Sequence, residues 1–193
     1  AYEDRFDVKA KALGIDPFAL AYDYLMQDEG RAIIYSPVRN FSKFNLDAVR
    51  DMLLSEGTVI GLGDGGAHLG RICDGSMPTF LMTYWTRDRD GARLELPWVI
   101  RKLTSEPAEI IGWRDRGRIR PGLKADINVI DYDNLRLHPP HAVYDLPAGG
   151  CRLQQKADGY IATILSGAVT FRHGVATGAL PGRLLRGERA LPA

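Results

Sequence analysis

The sequence predicts an α/β fold that gives way to a β-rich module. Three observations predict it. Between residues 16 and 62, apolar residues at helical spacing alternate with short unbroken apolar runs, the strand–helix–strand order of a βαβ unit. After Trp113 the helical spacing stops, and glycines punctuate short runs rich in β-branched residues. Hydrophobic residues fill 45% of the 193 positions, enough for a sizeable core. The change of texture places a boundary near Gly112–Gly117.

Each element has its own reason. Asp16-Pro17 is an N-cap followed by a first-turn proline. Behind it, Phe18, Ala21, Tyr22, Leu25 and Met26 share one helical face, and Gly30 stops the helix. Ala32–Tyr35 is a short apolar run ended by Ser36-Pro37, read as a buried strand. Asn45 caps a second helix with Leu46, Val49, Met52 and Leu53 on one side, closed by Ser55-Glu56-Gly57. Thr58–Leu62 is again apolar without alternation, as for a parallel strand covered on both faces. Further helices are predicted from Met77 through Trp85, over Leu96–Thr104 with Pro97 in the first turn, and over Pro107–Gly112. A polar loop is predicted at Thr86–Arg93. Asp126–Asp131 alternates as a half-buried strand does. Tyr160–Leu165, Ser166-Gly167 and Ala168–Phe171 read as strand, turn and strand. Another turn follows at Arg172-His173-Gly174.

Charge and cysteine usage narrow the function. The 25 basic and 24 acidic residues leave a net charge of +1, so nucleic acid and anionic membrane are not predicted partners. Arg183, Arg186 and Arg189 form the one basic run, read as a solvated tail. Cys73 and Cys151 are far apart and form no C-x-x-C, which excludes a zinc ribbon or a thioredoxin-type motif. The thiols are read as reduced and the compartment as cytoplasmic. The N-terminus has no apolar signal core, and no window approaches the ~18 apolar residues of a membrane span. The chain opens without Met, so it is read as a fragment.

Residues 61–70 read G-L-G-D-G-G-A-H-L-G. The run sits just past a predicted parallel strand, where α/β folds place ligands. It is not a phosphate loop: G-x-x-x-x-G-K-[ST] is absent, and Asp64 inside the turn would repel pyrophosphate. G-x-S-x-G and H-E-x-x-H are absent as well. His138-Pro-Pro-His141 has metal-motif spacing, but two prolines forbid the helix that would align the rings. His173 falls in a turn. Asp64 is left as a general base or a metal ligand, with His68 four positions on. One carboxylate cannot hold a catalytic zinc, which needs about three protein ligands.

The run Leu103-Thr104-Ser105-Glu106-Pro107-Ala108, then Gly112, then 116–131 (RGRIRPGLKADINVID) resembles the C-terminal signature of the amidohydrolase superfamily. Gly63-Asp64-Gly65-Gly66-Ala67-His68, Leu146-Pro147-Ala148-Gly149-Gly150, Ile164–Val169 and Gly178-Ala179-Leu180-Pro181-Gly182-Arg183 resemble more narrowly the D-aminoacylase family, the N-acyl-D-amino-acid deacylases. The resemblance covers essentially the whole chain. It implies the C-terminal segment of a TIM (β/α)8 barrel, its last two strands and helices, over residues 1–112. Part of a small β-sandwich domain follows over 113–193. It also implies zinc-dependent hydrolysis of the amide bond of N-acyl-D-amino acids, with Asp64 as the barrel aspartate beside metal and water.

The family's H-x-H, bridging cysteine and mid-barrel histidines have no match here, so most zinc ligands are expected outside this chain. No residue of it is assigned as a metal ligand. His68 is expected to line the substrate pocket. The family's His-Pro-Arg triplet is absent, which leaves Arg71 either gripping the substrate carboxylate or standing as a surface loop residue. Expected partners are the small-molecule substrate and the remainder of the barrel or a companion chain, in an oligomer. This chain alone is expected to be inactive. Two alternatives stand beside this reading: a non-catalytic fragment or module that needs a partner chain, and a related amidohydrolase acting on a cyclic amide.

Overall fold

The computed structural model describes residues 2–37, 39–41, 43–61, 66, 68–71 and 73–187. The chain forms two compact units, Ala1–Thr58 and Val59–Ala193.

The first unit is helical. Helix α1 (Phe6–Leu13) ends on Gly14, whose left-handed backbone (φ 67°) lets the Ile15 N–H reach Ala10 O at 3.1 Å. Helix α2 (Pro17–Leu25) begins as its sequence predicts. The Asp16 carboxylate accepts from the Phe18 and Ala19 N–H groups at 2.9 and 3.0 Å. Ala10 is buried, and the Phe6 and Tyr24 rings meet edge-on, 5.5 Å apart, joining α1 to α2. Asp16→Ala should therefore cost about 1 kcal/mol, seen as a fall of a few degrees in the midpoint of helix melting; an unchanged midpoint would contradict the cap. The predicted apolar face of α2 lies outside the core: Phe18 is 83% exposed and Tyr22 63%. Helix α3 (Asp47–Leu54) starts where Asn45 Oδ1 accepts the Asp47 N–H at 3.1 Å. Thr58 Oγ1 lies 2.7 Å from Met52 O and 2.8 Å from Ser55 O and closes its end.

Two predicted strands are corrected. Ala32–Tyr35 and the described part of the second run, Thr58–Gly61, carry no strand, and Leu62 lies outside the described residues. A strand exists only as one side of a ladder. Among the described residues neither run has a ladder partner, and every described strand pair is antiparallel.

The second unit joins helices to small sheets. Helix α4 (Met77–Thr83) runs into a wider π-type turn at Tyr84–Asp88, where a polar loop was expected to begin at Thr86. The Arg89 N–H reaches back to Tyr84 O at 2.9 Å, five residues away. Helices α5 (Leu96–Leu103) and α6 (Ser105–Ile110) follow. Strands β1 (Ile127–Ile130), β6 (Tyr160–Leu165), β7 (Ala168–Arg172) and β8 (Val175–Ala176) form one antiparallel sheet in the order β1-β6-β7-β8. The antiparallel pair β2 (Arg136–Leu137) with β5 (Ala157–Asp158), and the hairpin β3 (His141–Leu146) with β4 (Gly150–Gln154) that lies between them in sequence, form two separate sheets. The β6–β7 turn is the predicted Ser166-Gly167, with both residues left-handed (φ 50° and 82°), as a two-residue hairpin turn requires. His173 and Gly174 repeat it before β8 (φ 47° and 76°).

The core is Leu81, Met82, Trp85, Leu94, Val99, Ala108, Leu135 and Ala162. It draws on helices and strands alike. Polar ties reinforce the joint: Thr79 Oγ1 to Tyr160 Oη at 2.8 Å, and Thr86 Oγ1 to Tyr132 Oη at 2.6 Å. The Arg87 guanidinium donates to the carbonyls of Tyr132, Asp133 and Leu135.

Candidate functional site

Asp64 lies outside the described residues, together with Leu62, Gly63, Gly65 and Ala67. The loop after it is described from Gly66 onward, apart from residues 67 and 72. Its backbone is left-handed at Gly66 (φ 105°) and at His68 (φ 50°). The Arg71 N–H donates to His68 O at 2.8 Å, so the two expected substrate-facing residues share one turn, and both are exposed. Neither lines either of two clefts: one of about 360 Å³ lined by Arg87, Asp133, Asn134, Leu135, Arg136 and Asp158, and one of about 200 Å³ lined by residues 118–121, 123–125 and 127.

The loop is fastened by a distant element. The Leu153 N–H of β4 donates to Leu69 O at 2.8 Å. Next to it, Arg152 forks onto Asp145 of β3, Nε to Oδ1 at 2.7 Å and Nη2 to Oδ2 at 2.6 Å. The Arg152 hydrogen bond holds the Asp145 carboxyl below its ordinary pKa. Further along the loop, Cys73 is half-buried. Burial, then the neighbouring Asp74, push its thiol pKa up, while the Arg152 charge pulls it down. Cys151 is exposed.

Sequence reasoning did not predict the β3–β4 hairpin. Its signal was present in the Pro147-Ala148-Gly149-Gly150 turn cluster after the run His141–Leu146. Ala148 and Gly149 are left-handed there (φ 58° and 72°).

The histidines of His138-Pro-Pro-His141 do not converge on a metal. His138 Nε2 lies 3.0 Å from Asp158 Oδ2, and His141 opens β3. That contact, with Arg136, lowers the Asp158 pKa. Among the described residues, no group of three or more His, Cys, Asp or Glu side chains could hold a metal ion. A catalytic zinc takes about three protein ligands, so the described donors do not fit a zinc centre. Among the described residues no helix is long and apolar enough to cross a membrane.

The motif behind the resemblance has a structural role here. Arg116 pairs with Asp115 at 2.9 Å and with Asp126 at 3.1 Å. The second oxygen of Asp126 accepts the Ser166 N–H of the β6–β7 turn at 2.9 Å. Gly117 (φ 85°) packs so tightly on α6 that a Cβ there would lie 2.9 Å from Ser105 Cα.

Comparison with known proteins agrees with that motif. Residues 4–171 match the model of the Amidohydrolase family. A 5-methylthioadenosine/S-adenosylhomocysteine deaminase of Haloarcula marismortui is 29% identical over 119 residues, 61% of this chain and 27% of the deaminase. The chain thus spans about a quarter of that relative's length. No solved structure matches it significantly. With most of its length inside the family model, the chain belongs to the Amidohydrolase family.

Proposed function

We propose that the protein hydrolyses the amide bond of N-acyl-D-amino acids, releasing a carboxylic acid and a D-amino acid. The observation that carries this is the family match over residues 4–171. The deacylase-like stretches at 63–68, 146–150 and 178–183 narrow it to D-amides.

Amide cleavage needs water to attack the carbonyl carbon. One proton must leave that water, and one must reach the departing nitrogen. Asp64 serves both ends: its carboxylate takes the first proton and returns it to the amine as the C–N bond breaks. Arg71 grips the substrate carboxylate through its planar fork, and His68, in the same turn, lines the approach. We read residues 1–112 as the C-terminal segment of a TIM barrel and 113–193 as part of a β-sandwich; the runs expected as the last barrel strands, Ala32–Tyr35 and Thr58–Gly61, carry no strand here and would need the remainder of the barrel as ladder partners. The zinc ligands lie on the remainder of the barrel or a companion chain, and residues 1–193 alone are inactive.

A second reading has its own observation. The matched relative is by its printed name a deaminase of 5-methylthioadenosine and S-adenosylhomocysteine, so deamination of such a nucleoside is the second reading. A substrate panel separates the readings, run on the protein with its full flanking sequence. N-Acetyl-D-amino acids, their L enantiomers, a cyclic amide and 5-methylthioadenosine are each followed for product. Cleavage of the D-amides above the rest is the expected outcome. Ammonia from methylthioadenosine with the amides untouched would replace this reading by the second. Cleavage of the cyclic amide alone would move the substrate class.

A further inference from the structure

We propose that the β3–β4 hairpin straps down the loop that follows Asp64, and that Arg152 is the positioning residue that keeps the strap closed. The proposal rests on reading that loop as part of the catalytic site.

Among the loop's described residues, 66, 68–71 and 73, none lies in a helix or strand, Gly66 and His68 have left-handed backbones, and a turn bond runs from the Arg71 N–H to His68 O. The Leu153 N–H is its long-range backbone anchor. Strand β4 turns that N–H away from β3 and toward Leu69.

The hairpin, in turn, has a weak point. Its register shifts between Val143 and Leu146, and the ladder resumes at the Leu146–Gly150 pair. Asp145 sits inside that irregular stretch. The Arg152–Asp145 fork spans the gap where ladder bonds are interrupted. Arg152 is also next in chain to Leu153, the residue that holds the loop. Its charge reaches Cys73 at the loop's far end. One side chain therefore closes the hairpin and sits beside the anchor.

The pair is suited to positioning and contributes little to folding. The Asp145 side chain is 53% exposed and that of Arg152 28%. Ion pairs this open add little to stability, so their loss should release the strap and leave the fold standing.

Cys73 reports strap closure without reference to turnover. The test uses the protein with its full flanking sequence and Cys151→Ser. Iodoacetamide labelling of Cys73 is followed by peptide mass at pH 8, and D-amide turnover is measured in parallel. Arg152→Ala should speed Cys73 labelling about 10-fold by opening the loop. It should lower kcat about 10-fold with KM within 2-fold, and leave the melting curve in place. Electrostatics alone would do the opposite to the label: removing a positive charge raises the thiol pKa and slows alkylation. Asp145→Asn should act in the same direction. The charge swap Arg152→Asp with Asp145→Arg should recover both readouts in part.

Labelling that stays unchanged or slows in both single variants overturns the strap. Faster labelling with unchanged kcat overturns the positioning role. If the parent protein turns over no amide at all, the functional reading fails; the labelling rates still decide the strap.

Discussion

Replacing Gly159 with alanine is expected to lower the thermal midpoint by about 10 °C. Gly159 lies between β5 and β6 with φ 97°, a backbone that L side chains rarely adopt. The new Cβ would lie 2.6 Å from Leu135 Cα, 2.9 Å from Leu135 N and 3.0 Å from Asp131 O. All three are main-chain atoms, so no side chain can swing away. Leu135 is fully buried, and Gly159 O accepts the Asp131 N–H at 2.8 Å. Relief must then come from moving the 131–135 loop off the core. Left-handed strain costs about 1–2 kcal/mol and overpacking about 1–3 kcal/mol. At roughly 2–4 °C per kcal/mol for a chain of this length, about 10 °C follows. Gly174 is the control: it is also left-handed (φ 76°), but a Cβ there meets nothing within 4 Å. Gly174→Ala should therefore lose only the strain share. Equal midpoints for the two variants would show that the contact at Gly159 is not closed.

What was legible in the sequence was local. Asp16 announces the start of α2 because a cap acts over two or three residues, whereas Asn45 falls one position before Leu46, the residue at the cap position of α3, and accepts the Asp47 N–H. Ser166-Gly167 announces its hairpin because the turn's φ values select the residues. The 116–131 motif was visible as a motif, but its purpose was not. Asp126 joins Arg116 to the Ser166 turn, forty positions away. Elements held by distant partners were misread or missed. Ala32–Tyr35 and Thr58–Gly61 have strand composition, yet composition supplies no neighbour to pair with. The π-type turn at Tyr84–Asp88 was expected to become a loop from Thr86. It is fixed instead by Thr86 on Tyr132 and by Arg87 on the carbonyls of 132–135. At the candidate site, the glycine run pointed to Asp64, which lies outside the described residues. The sequence put His68 and Arg71 near one another; the structure joins them in one turn. The hold of β4 on that turn joins Leu153 to Leu69 across the intervening helices and strands, and no local pattern carries it.

Asp64→Asn is expected to cut turnover about 100- to 10,000-fold, the usual contribution of a positioned general base. Asparagine keeps the size and one acceptor oxygen of aspartate, but its amide cannot take a proton from water near neutral pH. The loss should therefore fall on kcat, with KM little changed, because the proposed function assigns the grip on the substrate carboxylate to Arg71 and not to Asp64. Folding should be unaffected, since the residue stands in sequence among Gly63, Gly65 and Gly66, which bring no side chain for it to pack on. A combined fall in kcat and melting midpoint would assign Asp64 a structural role.

The proposed cleavage of amides through the carboxylate of Asp64 is decided by the kcat for an N-acetyl-D-amino acid, measured side by side on the protein with its full flanking sequence and on its Asp64→Asn variant. Turnover is expected in the first and a loss of at least about 100-fold in the second, at equal melting midpoints. Near-equal kcat values, or no turnover of the D-amide by the parent protein, would contradict it.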